Sequence, residues 1–334
     1  MREFPSTQNM TSVAVVDCGE DDEQRLLSLS KAVPTQVFRG APRDADELVR
    51  RADGADVLVT LYTYTQVNAT VLERLPGVRL VATRTAGFSH IDVECAARLG
   101  VRVAVVPSAA TRSVAEYVFG ALLAAQRGLF AARDATRAGS WAYQDHQGFE
   151  LAGSTLGVVG LGAIGQQVAE IGRALDMRVL GWTRRTREIN GVEMVELDDL
   201  LRQADVVSLS VALNNETRDL LGQRELALMK PRAWLVNAAR GGILDEDELV
   251  RRLRAGTLAG AILDVLDGEP PAAERLAELR DVPNLLVTPH IAWHTEAALK
   301  RQFDETTQNV LAFLRGEEQN LIPSPTITPT DVRG

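Results

Sequence analysis

Arg240, Glu269 and His290 each stand just after a short apolar run: AWLVNAA, GAILDVL and NLLVTP respectively. Runs of that length and β-branched content predict strands. In an open parallel sheet the carboxyl ends of the strands share one crevice, so side chains distant in sequence converge there. The three types make chemical sense together. A guanidinium is a planar fork of donors that fits a carboxylate and an adjacent carbonyl. An imidazole titrates near neutrality and can give a proton to a carbonyl oxygen as hydride reaches its carbon. A carboxylate beside it favours the imidazolium. Taken singly, the arginine reads as a solvated turn residue, the glutamate before Pro270 as a loop acid, and the histidine as a partner for a backbone carbonyl. Their shared placement points instead to reduction of a 2-keto acid. His90, His146 and His294 lack that placement, although His294 is close enough in sequence to line the same crevice.

The hydride source is indicated by GLGAIG, in which Gly160, Gly162 and Gly165 follow the apolar run from Leu156 to Val159 and precede a helix expected over residues 166–175. The first glycine permits a tight turn, the second lets backbone approach a pyrophosphate, and the third allows close helix packing. With Ala163 and Ile164 they place phosphate oxygens at the positive end of a helix. A site for NAD usually carries an acid about 20 residues on, at the carboxyl end of the second strand. Thr183, Arg184 and Arg185 occupy that place here, and Asp176 lies at the wrong end. A hydroxyl and guanidinium groups suit a 2′-phosphate, so NADP(H) is expected to be preferred, with NAD(H) still possible. That these arginines and Arg187 form only a solvated turn stays open.

The elements that must position these groups follow a βα rhythm. VAVVD, DVLVTL, VRLVATR and VRVAVVP alternate with amphipathic stretches such as 44–51 and 68–75, the signature of parallel-sheet units. A long buried helix is expected from Ser113, capped by Ser113 and Glu116. The alternation then restarts for six strands. The fold expected is α/β, with two doubly wound parallel-sheet domains. A Rossmann dinucleotide-binding domain, 113–293, is inserted in a flavodoxin-like substrate domain, 1–112, that is completed by 294–334. A final helix over 296–315 should precede an extended or frayed arm from Asn320.

Composition narrows the partners. The chain has 334 residues, 46% apolar and 24% charged, with a net charge of −9, which disfavours nucleic acid and anionic membranes because both need a positive field. No apolar run reaches spanning length, and the polar start lacks the blocks of a signal peptide, so a cytoplasmic location is expected. Cys18 and Cys95 lack metal-site spacing, and no metal is expected.

TRTAGFSHIDVECAARLGV, SVAEYVFGALL, LGVVGLGAIG, LMKPRAWLVNAARGGILDEDEL, LDVLDGEPP and TPHIAWHTEAAL together resemble the D-isomer-specific 2-hydroxyacid dehydrogenases over almost the whole chain. The resemblance implies that Arg240, Glu269 and His290 are the catalytic set. It also implies that Asp264 and Ala238 lie beside the nicotinamide cofactor and that the Ala86 and Gly87 amides hold the substrate carboxylate. Trp293 is placed near the substrate, and a homodimer is implied through the region around the Ser113 helix and Trp141, Tyr143 and Phe149. Two departures stand out. Ser108, Ala109 and Ala110 replace a tyrosine-bearing loop of the D-lactate branch, which points away from D-lactate itself. Ser210 and Ala212 replace a usual His and Pro, while the Thr183-Arg184-Arg185 stretch is similar to NADP-using glyoxylate and hydroxypyruvate reductases. Two other activities fit the same resemblance: oxidation of a small anion such as phosphite or formate, and a nucleotide-sensing corepressor.

Overall fold

In the computed structural model, which describes residues 12–184 and 188–323, the chain divides into two compact units, Met1–Ala110 with Thr295–Gly334, and Thr111–His294. The first unit begins β1 (Val13–Cys18), α1 (Leu27–Ala32), β2 (Thr35–Arg39), α2 (Ala45–Ala52), β3 (Val57–Thr60), α3 (Ala69–Leu72), β4 (Leu80–Thr83), α4 (Val93–Leu99) and β5 (Arg102–Ala104). All pairings are parallel, in the order β2-β1-β3-β4-β5. Strands β1, β3 and β4 are buried at every position, as expected of central strands covered on both faces, which is why they read as unbroken apolar runs rather than alternating ones. Helices α2, α3 and α4 start where short polar side chains satisfy their free amides: Asp44 accepts from Glu47 N, Asn68 from Val71 N and Asp92 from Cys95 N.

The second unit runs through α5 (Thr111–Gln126), α6 (Leu129–Arg137), β6 (Thr155–Val159), α7 (Ala163–Ala174), β7 (Arg178–Trp182), β8 (Glu193–Met194), α8 (Leu197–Gln203), β9 (Val206–Leu209), α9 (Gln223–Leu228), β10 (Trp234–Asn237), α10 (Glu246–Ala255), β11 (Gly260–Leu263), α11 (Ala273–Arg280) and β12 (Leu285–Val287). Its seven strands lie in the order β12-β11-β10-β9-β6-β7-β8, all parallel. The order reverses between β6 and β9, and in a doubly wound sheet such a reversal opens the ligand crevice at the strands' carboxyl ends. The extra strand over the six expected is β8, too short at two residues to leave a periodic signal.

Three other expectations are corrected. The single long helix from Ser113 is two helices, broken at Gly128, whose φ of +60° is left-handed. The first begins at Thr111, ahead of Ser113, and Glu116 pairs with Arg112 rather than closing a capping box. The second has no buried residue at all, so burial ends with α5. The arm from Asn320, expected to be extended or frayed, is extended where described: Leu321 bridges Ala104 on β5, and Ile322 N donates to Val103 O at 2.9 Å. Residues 324–334 lie outside the described residues.

The last helix, α12 (Glu296–Leu314), rejoins the first unit. Phe303 and Val310 on it pack in one cluster with Val13 and Val15 of β1, Val57 and Val59 of β3 and Leu80 of β4. Among the described residues no helix is long and apolar enough to cross a membrane, and no group of three or more His, Cys, Asp or Glu is placed to hold a metal ion. Both cysteines are buried and free. Because Phe303 is 2% exposed, Phe303→Ala should cost about 3–5 kcal/mol, measured by denaturant unfolding. An unchanged midpoint would mean that α12 does not complete the first unit's core.

Candidate active site

Strands β10, β11 and β12 are consecutive neighbours in the second sheet, so the loops carrying Arg240, Glu269 and His290 emerge side by side. The Arg240 turn is built by Asn237, which is fully buried. Its side chain accepts from Ala239 N at 3.1 Å and donates to Arg240 O at 2.9 Å, closing the turn that points the arginine off the strand. The next residue must be glycine, since a Cβ on Gly241 would lie 2.0 Å from the Leu266 carbonyl carbon. The loops after β10 and β11 are thereby in contact. Burial pulls the Arg240 pKa down, and the Glu269 charge opposes that pull.

Glu269 is held at both oxygens. Oε1 accepts from Leu266 N at 2.8 Å, and Oε2 lies 2.7 Å from His290 Nδ1. Burial alone would raise its pKa, but the hydrogen bonds from His290 and Leu266 and the charges of His290 and Arg240 leave it below the ordinary carboxylate value. An ionised carboxylate only accepts, so His290 Nδ1 carries a hydrogen and Nε2 is left for other partners. The pair is partly open, with side-chain exposures of 38% for His290 and 32% for Glu269.

His290 itself has a φ of +54°, a left-handed conformation that a side chain with a Cβ adopts only at a cost. Asp264 maintains it. This aspartate is 1% exposed; its backbone carbonyl accepts from His290 N at 2.8 Å. Its Oδ1 accepts from Thr288 Oγ1 at 2.6 Å and Ile291 N at 2.8 Å, and its Oδ2 from Ala292 N at 2.8 Å. Tyr117 on α5 hydrogen-bonds Thr288 Oγ1 in turn. Asn237, Thr288 and Tyr117 escaped the sequence reading; the only local signal was their presence in motifs already used for neighbouring residues. Trp293 is half-buried, and its ring meets that of His294 edge-on at 5.0 Å.

The glycine loop fits a dinucleotide. Helix α7 begins at Ala163, earlier than expected, which makes Gly162 its N-cap and sets Ala163 and Ile164 in the first turn, where amides are unspent. Nothing lies within 4 Å of a Cβ placed on Gly162, whereas one on Gly165 would lie 1.9 Å from Gly160 O. Gly160, at φ +97°, packs on the Ser210 backbone, 2.8 Å from a notional Cβ, so the residue replacing the expected histidine contributes its main chain to the turn. Ala238 is half-buried after β10. Thr183 follows β7, with no acid there, and Arg184 is exposed and paired with Glu216. Arg185 lies outside the described residues. Ala86 and Gly87 belong to the first unit, in the loop after β4, where Ala86 is exposed and Gly87 half-exposed. Ala109 is buried, and its carbonyl accepts from Arg301 Nε at 2.8 Å.

Comparison with known proteins gives a consistent picture. A family model described as D-isomer specific 2-hydroxyacid dehydrogenase, NAD binding domain, matches residues 119–292. A glyoxylate reductase from Aeropyrum pernix is 39% identical over 307 residues, which is 88% of this chain and 90% of that one. An acyclic imino acid reductase in complex with NADPH and D-Arg superposes with a TM-score of 0.86 at 27% identity, covering 94% of this chain and 100% of that one. The D-lactate dehydrogenase of Aquifex aeolicus, complexed with NAD and lactic acid, does so with a TM-score of 0.82 at 29% identity, covering 93% and 100%.

The open space over Gly162 gives a direct test of the nucleotide cradle. Gly162→Val fills it without touching the packed face of α7, so dinucleotide affinity should fall at least tenfold by fluorescence titration while the thermal midpoint moves little. Unaltered affinity would place the dinucleotide elsewhere.

Proposed function

The chain belongs to the D-isomer specific 2-hydroxyacid dehydrogenase family and is an NAD(P)-dependent oxidoreductase, and from that premise we propose that it reduces a small 2-keto acid to the D-2-hydroxy acid with His290 as proton donor. The observation that carries this reading is the 2.7 Å contact between His290 Nδ1 and Glu269 Oε2. It commits one ring nitrogen to the carboxylate and leaves Nε2 to face a carbonyl oxygen. Arg240 grips the substrate carboxylate and carbonyl, polarising the bond to be reduced. A reduced nicotinamide held at the glycine loop would supply the hydride. As the substrate's carbonyl carbon accepts it, His290 gives its Nε2 proton to the developing alkoxide, and Glu269 orients the ring for that transfer and faces it with the opposite charge. The Ala86 and Gly87 amides are assigned to the substrate carboxylate, Trp293 to the substrate's surroundings, and Asp264 and Ala238 to the nicotinamide end.

Preference for NADP(H) is proposed on the missing acid after β7 and on Thr183 and Arg184. The exposed pair between Arg184 and Glu216 is no obstacle, since such pairs contribute about 0–1 kcal/mol and a 2′-phosphate is a stronger partner. Substrates of the glyoxylate or hydroxypyruvate kind are favoured by the likeness to a glyoxylate reductase. A second copy of the chain is the proposed cover for the apolar surface of Leu129 (54% exposed), Trp141 (90%) and Tyr143 (81%).

The decisive measurement is a matrix of initial rates, NADH and NADPH against glyoxylate, hydroxypyruvate, pyruvate and phenylpyruvate. NADPH with one of the smaller keto acids should give the highest kcat/KM, and His290→Gln should lower kcat by 100-fold or more while leaving dinucleotide affinity within about twofold. Absence of turnover with all four keto acids would overturn the reading. The pH profile adds a separate check. Glu269 is held below its ordinary pKa, so its charge is present throughout the neutral range and is lost only in acid. Activity that depends on that charge should hold through neutral pH and fall only in acid. Glu269→Gln keeps a hydrogen-bonding side chain beside His290 but removes the charge, so kcat should fall about tenfold or more at neutral pH; an unchanged kcat would remove Glu269 from this role.

A further inference from the structure

His90 plays no part in the reading above, yet it is 3% exposed and sits at the end of the loop that carries Ala86 and Gly87. The hydrogen bonds of that loop have one consistent direction. Thr85 Oγ1 lies 2.7 Å from Gly87 O, and a carbonyl only accepts, so the single hydroxyl hydrogen of Thr85 is spent there. Thr83 Oγ1, 2.9 Å from Thr85 Oγ1, must therefore donate to it. With its own hydrogen spent, Thr83 Oγ1 can only accept from its other neighbours, Thr85 N at 3.3 Å and His90 Nε2 at 3.4 Å. The tautomer follows: His90 carries its hydrogen on Nε2, which also lies 3.3 Å from Thr60 Oγ1.

The source of this chain is rigid. Thr60 and Thr83 are register partners at the ends of β3 and β4, both fully buried, and the ring spans them. The His90 carbonyl accepts from Val67 N at 2.8 Å, and the Thr85 carbonyl from Val106 N at 3.0 Å. Burial pushes the His90 pKa down to about 4, so the ring is neutral at physiological pH. Its Nδ1, bare of hydrogen, is buried without a partner among the described residues.

We propose that His90, acting through Thr83 and Thr85, is a positioning residue: it holds the Thr85 hydroxyl on the Gly87 carbonyl, closing a turn that contains the Ala86 and Gly87 amides and aims them at the substrate carboxylate. The inference rests on the assignment of those two amides to the substrate. Glycine at position 87 leaves the turn loose, and the bond between its two ends restricts the dihedrals of Ala86 and Gly87 before the substrate arrives. A preorganised pair of amides acts on ground-state and transition-state carboxylate alike, so its loss appears in KM for the keto acid.

The test is steady-state kinetics on the full-length enzyme with the best keto acid from the rate matrix. Thr85→Val and His90→Phe should raise KM for the keto acid about tenfold, with kcat and KM for the nicotinamide cofactor within twofold of the parent. Thr85→Ser, which restores the hydroxyl, and His90→Gln, which keeps a donor near the Nε2 position, should recover most of the loss. A rise in both KM values together, or failure of Thr85→Ser to recover binding, assigns the chain a merely structural role and overturns the proposal. Gly87→Pro removes the amide itself and reports on the underlying assignment. If Gly87→Pro raises KM for the keto acid and Thr85→Val does not, the positioning chain alone is wrong. If Gly87→Pro leaves that KM unchanged while the thermal midpoint is retained, the loop does not hold the carboxylate and both ideas fall.

Discussion

A buried carboxylate that spends both oxygens on a single short segment is the constraint on which this site depends. Asp264 ends β11 inside the protein, where an unpaired charge would be prohibitively costly. It is tolerated because Thr288 Oγ1, Ile291 N and Ala292 N all donate to it. Those donors flank His290 on both sides. Satisfying the aspartate therefore draws the chain into a tight turn around it, and the left-handed φ of His290 is the local cost of that turn. Charge-assisted hydrogen bonds of roughly 1.5–3 kcal/mol each easily outweigh a left-handed residue at about 1–2 kcal/mol. The imidazole is thus presented by the backbone, while Glu269 has only to orient the ring.

The sheet makes such an arrangement possible. Parallel strands connected through helices put every carboxyl end on one edge, so β10, β11 and β12 deliver a cation, an acid and an imidazole from loops that touch, as the close approach of Gly241 to Leu266 shows. The nucleotide cradle obeys the same geometry at β6, where Gly165 lets α7 lie against the Gly160 carbonyl. In the first unit the loop after β4 has the corresponding place on its own sheet. There two threonines in register across β3 and β4 give the loop a stiff foundation.

What could be read from the sequence was whatever depends on one chain segment at a time. The alternation of runs and amphipathic stretches gave both parallel sheets, and polar residues after β-branched runs gave Arg240, Glu269 and His290 as a group. Features that depend on partners distant in sequence were not legible. Tyr117 reaches Thr288 across 171 residues, and nothing near either residue announces the other. Helix ends depended on details below the resolution of a periodic pattern: the break at Gly128 interrupts a stretch whose composition reads as continuous, and α7 starts at Ala163 behind an extended Gly162, while the apolar pattern alone suggested a later start. His90 was passed over for a related reason. Its surroundings are threonines on adjacent strands, and only the strand register brings Thr60 and Thr83 together beneath its ring.

The two histidines show how environment divides one side chain into two tools. At position 290 the ring is about one-third exposed and its Nδ1–H faces a carboxylate, so a second proton on Nε2 is compensated by a nearby opposite charge. At position 90 the ring is enclosed by hydroxyls with no acid against it, and burial holds it neutral. A proton added there would find neither countercharge nor water. The difference in tautomer, Nδ1–H at His290 and Nε2–H at His90, comes in each case from an acceptor that cannot donate: the Glu269 carboxylate in one, and the Gly87 carbonyl, acting through two hydroxyls, in the other. An acceptor at the end of each hydrogen-bond chain therefore decides which ring nitrogen carries the hydrogen, while the carboxylate beside one ring and the burial of the other set their different surroundings.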